Sequence, residues 1–382
     1  MQTFTLAAPC LFGVEGIAAE EFRRMGIENV TAENGRVLFT GSAEMIARAN
    51  ICSRFAERIL IVVGTFSAAT FDDLFEGVKA LPWENYIRQD DAFPVNGWSI
   101  DSALHSIPDC QSIIKKAVVE RLKQRYAVVR FAETGPAIRI RFSIHKNNVT
   151  MMIDTSGDGL HKRGYRAHAN AAPIKETLAA AICDLARIYP DTQVFDPFCG
   201  SGTILIEAAL TATKTAPGLR RRFAAERFGF LDERIWQVER TRAQDLILHH
   251  IDFSAQGFDI DPACVALTLE NAKKAGVERY VKASVGDVRH FTPPACRCLT
   301  ITNPPYGERL LEVRQAEELY TIMGKRFVGG EGRKYAIISP HDEFETYFGR
   351  TADKRRKLYN GMIRCRLYQY FKNGGKNREE IF

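Results

Sequence analysis

The feature that most constrains the fold is an alternation of short apolar strands and helices in the C-terminal half of the chain. From residue 173 onward the apolar segments are TQVFDPF, AQGFDIDP, YVKASVGD, CLTITNPP and KYAIISP, and helical stretches such as ILIEAAL separate them. Alternation at this spacing predicts a parallel, doubly wound sheet. RCRLYQYF, near the C-terminal end, is a candidate closing strand. The predicted fold class is therefore α/β, with a Rossmann-like sheet in this half.

The first of these strands leads into DPFCGSGT, residues 196–203. A Gly-x-Gly turn lets the backbone approach a ligand where a β-carbon would clash. A strand-to-helix junction of this kind forms the ligand crevice of an open α/β sheet. The motif lacks the third glycine of a dinucleotide fingerprint and the Gly-Lys-Ser/Thr of a phosphate-binding loop. The acid at its start, Asp196, instead suits the cationic amino group at the methionine end of S-adenosylmethionine (SAM).

Acidic residues also end the next two strands. Asp259 in GFDIDP lies about where a Rossmann-like domain places the acid that accepts hydrogen bonds from ribose hydroxyls. Asp261, which Pro262 follows, is instead typical of a helix N-cap. Asp287 in GDV can accept the adenine amino group, although such an aspartate alone is also common in turns. The predicted cofactor-binding residues in these loops are Asp196, Phe198, Gly200, Ser201, Gly202, Thr203, Asp259, Ile260, Asp287 and Val288, together with Asn303.

The motif NPPY, residues 303–306, follows the fourth strand. Because two prolines fix the backbone, the Asn303 side chain and the Pro304 carbonyl can accept hydrogen bonds from an exocyclic amine and turn its lone pair toward a methyl donor. Tyr306 offers a face on which an extruded base can stack. We therefore predict Asn303, Pro304, Pro305 and Tyr306 as catalytic residues and expect no metal. Adenine N6, cytosine N4 and guanine N2 all remain open as the acceptor.

Each of these motifs alone is also compatible with an ordinary turn at the end of a strand. Their order along the chain, each at the C-terminal end of its own strand, is far more specific than any one of them. The combination predicts a SAM-dependent methyltransferase that acts on an exocyclic amine.

The N-terminal half contains no motif of comparable specificity. It predicts small α+β domains, with helices at FDDLFEGVKAL and CQSIIKKAVVERLKQRY and a hairpin that turns at Asn147 and Asn148. Residues 156–172 are rich in glycine and basic side chains, and they predict a link to the C-terminal domain.

Charge and cysteine usage narrow the protein class further. The net charge is +6 at pH 7, and basic clusters at 115–116, 161–163, 220–222 and 354–357 together favour a surface that follows phosphates. No apolar run approaches the roughly 20 residues that span a bilayer, and the N-terminus lacks the basic start of a signal peptide. The nine scattered cysteines contain no C-x-x-C and predict buried free thiols. We therefore expect a cytoplasmic protein without a membrane partner.

At these motifs the chain resembles a known family. DPFCGSGT, GFDID and NPPYGERL resemble the class I amino-methyltransferases. LHKRGYR followed by APIKETLAAA resembles the bacterial THUMP-domain methyltransferases that make N2-methylguanine in 23S ribosomal RNA, whose members are often described as N6-adenine-specific DNA methylases. FDDLFEGVKALPWENYI and PDCQSIIKKAVVERL resemble the THUMP region, so the resemblance covers nearly the whole chain.

The resemblance implies three domains. They are a ferredoxin-like domain over residues 1–66, a THUMP RNA-binding domain over 67–165 and a seven-stranded, mostly parallel SAM-dependent methyltransferase domain over 166–382. It also implies that Pro173, Ile174 and Lys175 help to form the cofactor pocket. The implied partner is RNA, most specifically 23S ribosomal RNA or an assembling large ribosomal subunit. The predicted RNA-binding residues are Lys115, Lys116, His161, Lys162, Arg163 and Arg166.

The implied product is N2-methylguanine, and three alternatives remain open. The extension Gly307-Glu308-Arg309 is shared with the guanine family, in which Glu308 or Arg309 meets the guanine edge or fixes the loop. An N6-adenine methyltransferase acting on DNA or RNA has the same NPPY motif. A non-catalytic RNA-binding assembly factor would carry a relic of the fold, and a small-molecule N-methyltransferase has no use for the basic N-terminal half. Some relatives carry a second, fused methyltransferase domain, whereas this chain resembles a short member with one.

Overall fold

The computed structural model of the protein describes residues 3–166, 174–307 and 310–371, apart from the side chains of Leu310 and Leu311. Backbone contacts divide the chain into two units. The first comprises Met1–Cys10, Ala18–Leu160 and Arg221–Arg242, and the second comprises Leu11–Ile17, His161–Arg220 and Ala243–Phe382. Residues 221–242 therefore belong to the first unit, although they fall inside the range predicted for the methyltransferase domain.

The chain as far as Asp154 builds the sheet of the first unit. In chain order the elements are β1 (Phe4–Pro9), α1 (Glu15–Arg24), β2 (Thr31–Glu33), β3 (Arg36–Gly41), α2 (Ala43–Cys52), β4 (Leu60–Ser67), α3 (Phe71–Lys79), β5 (Val95–Ile100), α4 (Ile107–Tyr126), β6 (Ile140–His145) and β7 (Asn148–Asp154). The strand order is β2-β3-β1-β4-β7-β6-β5. The β5–β6 pair is parallel and the other pairs are antiparallel. Since β4 runs across the predicted boundary at residue 66, the two predicted N-terminal domains share one sheet.

The helix predicted at FDDLFEGVKAL is confirmed as α3. The Thr70 hydroxyl accepts a hydrogen bond from the Asp73 amide at 3.1 Å, and the Asp73 carboxylate accepts one from the Thr70 amide at 3.0 Å. This reciprocal pair satisfies backbone donors that the first turn of a helix leaves free. Leu74 and Val78 are fully buried, so the apolar stripe of the helix faces the interior of the unit.

The predicted hairpin is also present, but its turn lies one residue earlier than expected. His145 pairs with Asn148 across β6 and β7, so Lys146 and Asn147 form the two-residue turn. Their φ angles are 51° and 61°, as a type I′ turn requires at both central positions. The placement of Asn148 in the turn was therefore wrong, because it is the first residue of a strand.

The rest of the chain builds the sheet of the second unit. After Asp154 the elements are α5 (Glu176–Ala186), β8 (Gln193–Asp196), α6 (Thr203–Ala212), α7 (Arg234–Asp245), β9 (Ser254–Asp259), α8 (Pro262–Ala275), β10 (Val281–Val285), β11 (Cys298–Thr302), α9 (Leu310–Arg326), β12 (Arg333–Ser339), α10 (Phe344–Phe348), β13 (Lys354–Asn360) and β14 (Ile363–Tyr370). Of these, α7 belongs to the first unit as far as Arg242. The order is β10-β9-β8-β11-β12-β14-β13. The first five strands in this order are parallel to one another, and β14 pairs in antiparallel fashion with both β12 and β13. This confirms the α/β class, and β13 is a strand that the sequence did not predict.

The sheet order brings the predicted motifs together. The strand β8 lies between β9 and β11, so the connections that leave the carboxyl ends of β8 and β11 run in opposite directions along the sheet. Such a reversal point opens a crevice above the carboxyl ends of the strands. The glycine loop, the Asp259 turn and the NPPY motif follow these three neighbouring strands and therefore surround one crevice.

The described part of the predicted link, residues 156–166, is folded into the two units. In the first unit the Ser156 hydroxyl donates to Asn50 Oδ1 at 2.6 Å and accepts from the Ile59 amide at 2.8 Å. In the second unit Tyr165 is buried, and its hydroxyl donates to Glu207 Oε1 at 3.1 Å. The composition does change at these residues, as the prediction noted. They do not form an exposed linker, however, because Ser156 and Tyr165 are buried in their units.

Two class predictions can be compared with the structure. Within the described ranges, no helix has both the length and the apolar character needed to cross a membrane. Six of the nine cysteines are buried, whereas Cys296 is exposed. The expected burial of the thiols is therefore confirmed for most of them.

Candidate active site

The glycine loop connects β8 to α6 and is held in place by α8. Gly200 and Gly202 have φ angles of +53° and +77°, a region that residues with a β-carbon rarely adopt. A β-carbon on Gly202 would lie 2.7 Å from Thr268 Cγ2, whereas one on Gly200 would meet no atom within 4 Å. The Thr268 hydroxyl donates to the Gly200 carbonyl at 2.8 Å, and the Asn271 amide donates to the Ser201 carbonyl at 3.0 Å. One glycine thus permits packing, and the other leaves its backbone open to a ligand.

Asp196 lies beneath this loop. Its side chain is 1% exposed, and Oδ1 accepts hydrogen bonds from the Thr302 hydroxyl at 2.7 Å and the Phe198 amide at 3.0 Å. Burial raises the pKa of this carboxyl to about 7, with a further contribution from the negative charge of Asp259. Both of these bonds use Oδ1, which ties Asp196 to the loop and to β11. The contact between Asp196 and the amino group of a ligand stays a prediction.

Asp259 ends β9 and reaches the crevice. Its carboxylate accepts hydrogen bonds from the Gly200 amide and the Asp261 amide, each at 3.0 Å. It therefore joins two loops while keeping lone pairs for further donors. Asp261 accepts from the Ala263 amide at 2.8 Å, which confirms it as the N-cap of α8. Ile260 is 71% exposed beside them.

Asp287 follows β10 and caps a short turn. Its Oδ1 accepts from the Arg289 amide at 2.8 Å, and its Oδ2 pairs with the Arg289 guanidinium at 3.0 Å. Val288 is buried beneath it. Arg289 was not among the predicted site residues. Its guanidinium pairs with Asp287, which was one of them.

The NPPY loop is fixed by its own tyrosine and by a second one. Tyr306 donates its hydroxyl proton to Asn303 Oδ1 at 2.5 Å, and burial raises the pKa of this phenol well above its usual value. Tyr320 on α9 donates to the Pro305 carbonyl at 3.2 Å. Because an amide oxygen has two lone pairs, Asn303 retains one for an incoming amine. Gly307 has φ +69°, and a β-carbon there would lie 2.5 Å from the Glu312 backbone.

These loops line one cavity of about 750 Å³, a size that is typical of cofactor sites. The predicted residues in its wall are Phe198, Asp259, Ile260, Asp287, Val288, Asn303, Pro304, Pro305 and Tyr306. The wall does not include the predicted residues Ile174, Lys175, Asp196, Gly200, Ser201, Gly202 and Thr203, and Pro173 lies outside the described residues.

The wall also contains residues that the sequence did not predict. They are Pro197, Arg289, Gly307, the α9 residues Glu312, Gln315, Glu318, Leu319 and Ile322, and Asn360 and Ile363 at the β13–β14 turn. The α9 residues could have been predicted, because their helix follows the NPPY motif closely in sequence. The β13–β14 turn arrives from far along the chain and gave no local signal.

Comparison with known proteins identifies the family to which the chain belongs. Family models match as the RMKL-like methyltransferase domain of UPF0020 over residues 163–369, the RlmL ferredoxin-like domain over 5–60 and the THUMP domain over 68–154. The "Putative RNA methyltransferase YpsC" of Bacillus subtilis is 40% identical over 97% of this chain and 97% of that protein. The chain belongs to the RMKL-like methyltransferase family.

Further RMKL-like relatives extend the comparison. The "Ribosomal RNA large subunit methyltransferase K/L" of Desulfotalea psychrophila is 33% identical over 95% of this chain, which spans 52% of that protein. The solved structure "SMU.472, a putative methyltransferase complexed with SAH" is 41% identical, with a TM-score of 0.93 over 98% of this chain and 100% of that one. SAM is therefore the cofactor of this RMKL-like protein.

The residues present fit such a cofactor. The space where a Gly200 β-carbon would stand is free, so the loop backbone can approach a ligand. The Asp259 carboxylate, in the cavity wall, can accept from the ribose hydroxyls, and Asp287 can accept from the adenine amino group. When bound, SAM supplies an electrophilic methyl group.

Replacing Asp259 by alanine is expected to weaken SAM binding about 10- to 150-fold. The basis is the loss of charge-assisted hydrogen bonds, which contribute about 1.5–3 kcal/mol. Asp261→Ala is a matched control, because it removes a carboxylate two residues away that caps α8 and does not line the cavity. Calorimetry should find its SAM affinity unchanged, with only about 1 kcal/mol lost from the free energy of unfolding. Wild-type affinity in Asp259→Ala would remove this residue from the cofactor site.

Arg166 has a different position from the one predicted for it. Its guanidinium donates to the Ile174 carbonyl and to the Thr203 hydroxyl, the latter at 2.9 Å, and pairs with Glu176 at 3.2 Å. These bonds tie the segment ahead of α5 to the glycine loop. Arg166 therefore orders the cofactor side of the methyltransferase domain, and its predicted contact with RNA does not fit this engagement.

The other predicted RNA-binding residues divide by exposure. Arg163 is buried beside Glu207, at 3.5 Å, so the RNA contact predicted for it does not fit its burial. Lys115 pairs with Glu133 at 2.7 Å and covers the Phe93 ring. Lys116 and Lys162 are exposed and His161 is partly exposed, so these three side chains can reach a ligand.

Proposed function

We propose that this SAM-dependent RNA methyltransferase transfers a methyl group to the exocyclic N2 of guanine in 23S ribosomal RNA. The observation that carries the proposal is the NPPY loop, which presents acceptor oxygens in the wall of a cavity that also contains Asp259 and Asp287. The names of two relatives, a putative RNA methyltransferase and a ribosomal RNA large subunit methyltransferase, support the substrate class.

The chemistry follows from what the loop can accept. Asn303 Oδ1 and the Pro304 carbonyl each accept one N–H of the amine, which directs the nitrogen lone pair toward the methyl group. Positive charge grows on that nitrogen during transfer, and the two fixed oxygens stabilise it without reorganising. The Tyr306 hydroxyl holds Asn303 in place, so its ring is fixed at a position where an extruded base can stack.

Side chains on the α9 side of the cavity support guanine as the proposed acceptor. Glu312 and Glu318 contribute carboxylates to the wall, and a carboxylate is an acceptor only. Guanine carries the N1–H and N2–H donors side by side, whereas the N6 amine of adenine adjoins N1, an acceptor. Carboxylates in the wall therefore support guanine over adenine as the acceptor in this proposal.

Purified protein with labelled SAM should be incubated with undermodified 23S RNA, transfer RNA or duplex DNA, followed by nucleoside analysis. We expect N2-methylguanosine, formed on the 23S RNA. N6-methyladenosine as the only product, or label confined to DNA, would establish the adenine alternative instead. No product from any nucleic acid would favour a non-catalytic role.

A further inference from the structure

A second cavity, of about 870 Å³, lies entirely within the first unit. Its wall combines residues 222–240 with two short stretches at 137–139 and 156–158. Five arginines line it, namely Arg139, Arg222, Arg227, Arg234 and Arg240. Phe223 and Trp236 stack in the same wall with ring centroids 5.4 Å apart. Of these five, only Arg222 belongs to a basic cluster recognised in the sequence, because the others are dispersed along the chain.

The arginines are only partly neutralised. Glu226 pairs with Arg222 at 3.0 Å and with Arg240 at 2.6 Å, and Arg234 pairs with Asp232 at 2.6 Å. In the part of the chain that the structure describes, the guanidinium groups of Arg139 and Arg227 form no hydrogen bond or ion pair. The cavity therefore contains two cationic groups that no described residue neutralises.

A buried donor in the same wall points to the same class of ligand. Trp236 is 2% exposed, and its indole N–H has no hydrogen-bond partner among the described residues. Buried donors are normally satisfied, and this unsatisfied one belongs to a residue that shares the cavity wall with the arginines. Two guanidinium groups and an indole offer donors only, and the matching ligand is an anion with several acceptor oxygens.

We propose that this arginine-lined cavity, which shares no lining residue with the methyl-transfer cavity, binds phosphodiester groups of the RNA substrate. Guanidinium groups match phosphate oxygens in geometry as well as charge, and the volume exceeds what a single small anion needs. The proposal rests on the proposed function in one respect, that the substrate is RNA. It assigns to residues 222–240, which lie in sequence within the methyltransferase domain, a role in substrate binding.

The test compares R139Q/R227Q with the control R23Q/R130Q, in full-length protein. Both pairs remove two positive charges from the first unit, but Arg23 and Arg130 are exposed and do not line the cavity. Binding of an unmodified 23S RNA transcript is measured over a range of salt concentrations. The plot of log affinity against log salt should become shallower by roughly 1 for each lost phosphate contact in R139Q/R227Q. The control should keep the wild-type slope, and the charge-preserving R139K/R227K should retain most of it.

Equal slopes in R139Q/R227Q and the control would overturn the proposal. Should the double variant unfold, as thermal denaturation would reveal, R227Q alone serves, because Arg227 is exposed and forms no described bond. Calorimetry with inorganic phosphate separates the two sources of this ligand chemistry. Phosphate binding that depends on these arginines while RNA binding does not would overturn the proposal in favour of a free anion. Arginine-dependent RNA binding without any methylated product would refute the proposed function and leave this assignment standing.

Discussion

Asn303→Ala is expected to lower the single-turnover rate of methyl transfer by about 10²- to 10³-fold while SAM affinity stays close to wild type. Removing one preorganised hydrogen-bonding group from a charge-stabilising site has an effect of about this size. Asn303 Oδ1 already accepts the Tyr306 hydroxyl at 2.5 Å, so it is held in position before the base arrives. Its interaction with the amine strengthens as charge grows on nitrogen, and the loss should therefore appear in the rate.

The measurement is a single-turnover time course with saturating RNA, alongside calorimetry with SAM. Tyr306→Phe is the informative partner variant, because it removes the hydroxyl that holds Asn303 and keeps the ring for stacking. We expect it to lie between wild type and Asn303→Ala in rate, with RNA affinity unchanged. A wild-type rate in Asn303→Ala would show that the NPPY loop is not where transfer occurs.

The sequence was sufficient to predict the parallel sheet and the place of the site. A motif that ends a strand can be placed in the fold from the sequence, because the carboxyl ends of neighbouring parallel strands meet at one edge of the sheet. Asp259, Asp287 and Asn303 accordingly lie in the wall of one cavity, as expected. Asp261 could likewise be identified as an N-cap because capping depends on residues close in sequence.

The sequence did not show which charged side chains are buried. Asp196 and Asp259 follow similar strands, yet one carboxyl is enclosed beneath the loop and the other reaches the cavity. Arg163 and Arg166 looked like members of a basic surface cluster, but their acidic partners Glu207 and Glu176 lie further along the chain. Pairings of this kind are set by tertiary packing, and no local pattern records them.

Residues 221–242 show the same limitation on a larger scale. They lie between α6 and β9 in sequence, which assigns them to the methyltransferase domain, whereas their contacts assign them to the first unit. The cavity with Arg139 and Arg227 exists only because that segment meets residues about 90 positions earlier in the chain. The predicted domain ranges therefore describe the order of the domains along the chain and not which unit each residue contacts.

Asp196 is expected to make the stability of the cofactor-free protein fall as the pH rises from about 4 to about 7. Burial raises the pKa of this carboxyl from 3.8 to about 7, so over this range the folded state holds a proton that the unfolded state has released. The stabilising contribution is complete below the unfolded pKa and is lost as the pH rises through the folded one. At about 1.4 kcal/mol for each pKa unit, the full shift corresponds to about 4 kcal/mol.

Urea unfolding of wild type and Asp196→Asn at about pH 5 and about pH 8 isolates this contribution, because asparagine does not titrate. Its amide oxygen can still accept from Thr302 and Phe198, which preserves the bonds under the loop. The difference in unfolding free energy between the two proteins should shift in favour of Asp196→Asn as the pH rises. A difference that does not change with pH would mean that the carboxyl titrates normally despite its burial.

SAM should weaken this pH dependence of stability. Its amino group is cationic below the pKa of an ordinary α-amine, about 7.7–8.0, and a cation above the glycine loop favours the ionised form of Asp196 beneath it. Binding should therefore release a proton, and SAM affinity should rise by up to about tenfold for each pH unit between about 5.5 and 7. Asp196→Asn should show a flat profile over the same range. Calorimetry in buffers of different ionisation enthalpy measures the released proton directly, and its absence in wild type would leave Asp196 with a purely structural part in the loop.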